Sequence, residues 1–121
     1  MLSRICLFLA VGYLVVGVTL GMYAGITQDF RLTHVHVHLN LLGWVTLGLV
    51  GLLYGLHPHL QAGWLPRLQL VMHNVGLVSF MGGIGFGLVT GDKVLLPVVV
   101  GASLVAAGIV TLAVHVVRRL R

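Results

Sequence analysis

Four long apolar runs, separated only by the short connectors TQDFRL, HPHLQAGWLPR and GDKV, constrain this chain more than any other feature. A helix needs about 20 apolar residues to cross a bilayer, and each run has that length. Unpaired backbone groups cannot face lipid, so runs this long must be helices rather than barrel strands. The reading is an all-α, integral membrane, four-transmembrane-helix bundle forming one domain over residues 1–121, with helices at about 4–26, 33–56, 68–90 and 95–117. Short connectors make consecutive helices antiparallel neighbours. Pro58 and Pro66 bracket the second connector, and Gly91-Asp92 marks the third as a turn.

The remaining composition agrees with a lipid environment. Of the 121 residues, 59% are hydrophobic and 7% charged, too few charges to cover a water-facing surface. Arg4, Arg67, Arg118, Arg119 and Arg121 fall on one side of the four spans, while Arg31, Lys93 and both acids, Asp29 and Asp92, fall on the other. The positive-inside rule then predicts N-in, C-in topology in a bacterial-type inner (plasma) membrane. The net charge of +5 reads as an orientation signal, not as a nucleic-acid footprint. The first run is taken as a span rather than a cleaved signal peptide, because it is longer than a signal core. Cys6 is the single cysteine, which excludes a disulfide within the chain. Gly17, Gly21 and Gly25 at four-residue spacing predict a ridge on the first helix that admits a close neighbour. The glycines of the third helix and Gly101, Ala102, Ala106 and Gly108 of the fourth suggest the same, or space for a flat ligand.

Seven histidines in so apolar a chain carry the chemical signal, since ionisable groups inside a membrane are costly and usually functional. His34, His36 and His38 open the second helix near the outer face. His57, His59, His73 and His115 lie towards the inner face, as a loose set of solvated interfacial imidazoles or as a second copper or zinc site. At 100° per residue, His36 and His38 point about 200° apart and must face different neighbours. His34 and His38, four apart, share a face and can bind one metal ion together. Asn40, four after His36, lies on that histidine's face and can bond a ligand or a neighbouring helix. Arg31 stands before the helix, either as an interfacial anchor or as a partner for carboxylates of a cofactor. Trp44 and Tyr54 are read as packing and interfacial residues.

His36-Val37-His38, followed by Gly43-Trp44, Leu53-Tyr54 and Pro58, resembles the haem-ligand helix of subunit I in the haem-copper oxidase and nitric oxide reductase superfamily, especially its C-type branch. His73-Asn74-Val75-Gly76-Leu77 is similar, less specifically, to the next helix of that family. The resemblance covers roughly residues 33–90. It implies a single-repeat relative, one four-helix arc of a subunit that the family builds from three. A homotrimer would then rebuild the whole, with His36 of one protomer and His38 of the next on the two faces of one haem b. Cofactor-binding residues implied are His36, His38, Asn40 and Arg31, and metal ligands His36, His38 and His34; copper is the other cofactor considered. The chain departs from the family in having no histidine pair for a copper site and no intramembrane Glu or Lys for a proton route. The implied role is therefore electron transfer or binding of nitric oxide or oxygen, with an electron-donor protein or quinol as partner, and enzymatic turnover is left open. Two alternatives stand beside it: a copper- or zinc-binding membrane protein using His34 and His38, and a structural accessory subunit.

Overall fold

The structure, a computed structural model, describes residues 1–120. It contains four long helices, Leu2–Thr27, Thr33–Leu56, Leu65–Thr90 and Leu95–Arg119, all long and apolar enough to cross a membrane. No strand occurs among the described residues. Arg121, which the topology reading placed inside, lies outside the described residues.

Local chemistry explains the ends. The first helix stops at Gln28, whose φ of 57° is left-handed and whose side-chain amide donates to the Gly25 carbonyl at 2.7 Å. The third stops at Gly91, at φ 79°, where the absence of a Cβ makes the left-handed cap inexpensive. It starts at Leu65, before the expected residue 68, because Pro66 sits in the first turn, where its missing N–H costs nothing. Pro58, in contrast, opens a 3-10 turn, Pro58–Gln61, in the connector.

The helices pair as two hairpins. Between the third and fourth, Gly76 meets the Gly101 carbonyl and Leu104, and Gly108 meets the backbone of His73, so small residues set the approach. Ser79 adds a hydroxyl bond to the Pro97 carbonyl at 2.9 Å. Between the first and second, Gly51 faces Leu7 and Cys6, Gly43 faces Tyr13, and Gly17 and Gly21 face Asn40 and His36. A Cβ at Gly12 or Gly25 would meet nothing, so the ridge on the first helix is used at Gly17 and Gly21 only.

Polar contacts fix the ends of the bundle. Gln61 accepts from the Met1 amino group at 3.0 Å, and His115 reaches the Leu60 carbonyl at 2.8 Å. Both termini and the second connector therefore share one end. The first and third connectors, with Asp29, Arg31, Asp92 and Lys93, form the other. Two apolar clusters fill the interior, one nearer the termini around Leu47, Tyr54, Leu60 and Leu70, the other around Val35, Leu39, Leu77 and Met81. Outward faces such as Phe8, Val15, Leu49, Val71 and Val110 are exposed, as lipid-facing residues would be.

The second helix is not uniform. Leu39–Val45 forms a π-helical segment between α-helical pieces Thr33–His38 and Thr46–Leu56. Its last bond runs from the Thr46 amide to the Leu41 carbonyl, five residues back. Returning from this wider ladder to the α-helical one releases a carbonyl. His73 donates from Nε2 to the next carbonyl along, Leu42, at 2.8 Å.

A candidate histidine site on the second helix

His36 and His38 stand one turn above the π segment, and each is half-buried. His36 lies against the first helix. Its Nδ1 is 2.6 Å from the Gly17 carbonyl oxygen, and a Cβ at Gly21 would come within 2.7 Å of its Cε1. A carbonyl can only accept, so Nδ1 carries the proton and donates. In the neutral ring Nε2 then keeps a bare lone pair.

His38 repeats this chemistry on the opposite side. Its Nδ1 donates to the His34 carbonyl at 2.8 Å, and its ring meets Phe80 of the third helix edge-on, with centroids 5.6 Å apart. Its Nε2 is likewise uncommitted. The two rings thus face different helices, as the 100° advance requires. Val37, between them, is 48% exposed, while Val35 and Leu39 on the reverse side are buried. The histidines occupy the two shoulders of an open apolar face, and one protomer does not bring them onto one ligand.

The other candidates are placed as follows. The Asn40 amide donates to the His36 carbonyl at 2.9 Å and packs on Gly17. Its nitrogen also lies 3.3 Å from His36 Nδ1, but two donors meet there, so no bond forms. Arg31 holds Asp29 in a two-pronged pair, Nε to Oδ1 at 3.0 Å and Nη2 to Oδ2 at 2.7 Å. The guanidinium holds the Asp29 carboxyl down to about 2. A cavity of about 330 Å³ beside this pair is lined by Leu20, Tyr23, Arg31 and Val89, and by neither histidine. His34 is exposed.

The inner histidines depart from expectation. His73 is fully buried and His115 is 5% exposed, so neither is a solvated interfacial ring. Both instead donate to backbone carbonyls. His57 and His59 stack edge-on in the connector, 5.8 Å apart. No three His, Cys, Asp or Glu side chains converge among the described residues.

Tyr13 and Gln69 were not singled out in the sequence, and Tyr54 and Asn74 were not read as buried polar partners. Tyr13 donates to Asn74 at 3.1 Å, joining the first and third helices. Tyr54 is fully buried, not interfacial, and its hydroxyl faces Gln69 at 3.5 Å. Gln69 Nε2 and His73 Nδ1 are buried without partners. Gln69 and Asn74 carry the same signal as the histidines, a polar side chain in an apolar span, and would have been found by applying that signal to every residue type.

Compared with protein-family models, curated proteins and solved structures, the chain matches none. None of the three links the chain to the oxidase superfamily.

Proposed function

We propose that this chain is a haem b-binding membrane protein, a single-repeat relative of haem-copper oxidase subunit I. In this reading His36 and His38 are axial ligands supplied by neighbouring copies, most simply in a homotrimer oriented N-in and C-in. One observation carries it. Both rings spend their Nδ1 proton on a backbone carbonyl, at 2.6 and 2.8 Å, and leave Nε2 free. Metal-binding histidines are oriented in this way, the second nitrogen fixing tautomer and tilt.

The residues present fit such a group. Each ring offers one lone pair, each faces its own flank, and the exposed face at Val37 lies between them. Haem held by two histidines supplies one-electron transfer, and with one axial position open it supplies a site for a diatomic gas. The chain's own part is positional. Gly21 lets the His36 ring approach the first helix, Gly17 makes room for Asn40 beside it, and Phe80 meets His38 edge-on. Arg31 has Nη1 uncommitted after pairing Asp29, enough for one further anionic contact.

The test is the absorption spectrum and iron content of the purified protein, oxidised and reduced, with and without carbon monoxide. A Soret band that is lost in His36→Ala and in His38→Ala is the expected result. Absence of both haem and iron, or a band unchanged by both substitutions, overturns the reading. Bound copper or zinc without haem points to the His34 and His38 alternative.

A further inference from the structure

We propose that the end of the bundle bearing both termini binds the phosphate headgroup of an anionic phospholipid. A cavity of about 240 Å³ opens there between the start of the third helix and the end of the fourth. Gly63, Trp64, His115, Arg118 and Arg119 line it. This is a different place from the His36 and His38 region, and it does not depend on haem.

Charge is the first argument. Arg118 and Arg119 stand side by side in the last turn of the fourth helix. The chain's two acids, Asp29 and Asp92, are in the connectors at the opposite end, so no carboxylate of the described residues balances this pair. Two guanidiniums on one cavity wall match the tetrahedral oxygens of a phosphate.

A buried polar side chain also stands on the wall. His115 is 5% exposed and fixed by its Nε2 bond to Leu60. Its Nδ1 makes no hydrogen bond among the described residues, and with Nε2 donating to Leu60 it presents a lone pair that can accept from a headgroup hydroxyl. The third helix begins at the same wall with neither a side-chain cap nor an acid in its first turn, which adds positive potential.

Lipid is favoured over free phosphate by what surrounds the cavity. Trp64 is 68% exposed at its rim, where an indole suits the headgroup level. Val117 and Val114, both exposed, continue from Arg118 along the fourth helix towards the bilayer centre and offer an apolar surface for acyl chains. Basic pockets between spans commonly hold anionic headgroups.

Native mass spectrometry of the full chain, released from detergent with added lipid, tests this. Phosphatidylglycerol adducts are expected to persist where phosphatidylcholine adducts do not. At about 1 kcal/mol per arginine, the double variant Arg118→Gln, Arg119→Gln binds about 30-fold more weakly and Arg119→Gln alone about fivefold. The double variant Arg4→Gln, Arg67→Gln, which removes charge from the same end but not from the cavity, retains binding. Equal retention of both lipids overturns the proposal, as does equal weakening by both double variants, which would mean diffuse surface charge. Displacement of phosphatidylglycerol by excess inorganic phosphate overturns the lipid assignment in favour of an ion site. The wild-type lipid comparison and the exposed Arg119→Gln keep the test decisive if the cavity double variant does not fold.

Discussion

At the level of single residues, close approach decides what each glycine on the first helix is for. Replacing Gly12 by Ala puts a Cβ into open space, and the gain is the helix preference of Ala, up to about 1 kcal/mol. Replacing Gly21 puts the same atom 2.7 Å from His36 Cε1, so ring or helix must give way. Overpacking of this kind costs about 1–3 kcal/mol and cancels or exceeds the helix preference. Thermal unfolding in detergent is expected to rank Gly12→Ala at or above the parent and Gly21→Ala below it; the reverse order would remove the cradle from the account of His36. Asp29 gives a second residue-level prediction. Its folded pKa is depressed, so the stabilising pair with Arg31 is fully present above the ordinary carboxylate range and is lost as pH falls from about 4 to about 2. Carboxyl-carbon NMR is expected to show a midpoint near 2 that returns to the ordinary range in Arg31→Gln. The pair is exposed, so its effect on overall stability is small.

Among the helices, the π segment is the feature that organises the interior. It lies between the His36 and His38 turn and the half of the second helix nearer the termini, and His73 closes the carbonyl at Leu42 from the third helix. His73→Leu keeps the volume and removes that donor. A loss of about 1 kcal/mol is expected, at the modest end for a buried bond because membrane hydrogen bonds average low. Equilibrium unfolding in mixed micelles measures it, and a neutral His73→Leu would mean that Leu42 finds another partner. None of this was legible in advance. Helix ends were readable to within three residues, because hydrocarbon length and polar connectors set them. Radial direction was not, since a span flanked by lipid on one side and apolar core on the other is apolar all round. Depth along the axis placed His115 correctly near the termini end, but His73 lies mid-span, with its ring on the Leu42 carbonyl and its backbone against Gly108, and 1.5 Å per residue says nothing about whether a ring points inward or out. The 100° advance did resolve His36 from His38, because two residues on one helix fix each other's direction.

At the scale of the whole molecule, the open question is which face meets another copy. Every helix carries exposed apolar residues, and lipid alone accounts for them, so exposure by itself selects no interface. The proposed haem site does select one: if His36 and His38 serve neighbouring copies, the face of the second helix at Val37 must look inward in the assembly, and the outer face of the fourth helix at Val110 must look at lipid. Cys6 is fully buried, so an introduced cysteine at either exposed position becomes the accessible thiol. With Val37→Cys, a short bis-maleimide in native membranes is expected to join two copies; with Val110→Cys, 62% exposed in the single chain, it is expected to join few. Gel mobility reads the result without any need for bound haem, which separates the assembly from the cofactor. Efficient linkage through Val110 and none through Val37 would turn the bundle around. The histidine shoulders would then face lipid in the assembly, a position too costly for two uncommitted imidazole nitrogens to occupy without another partner.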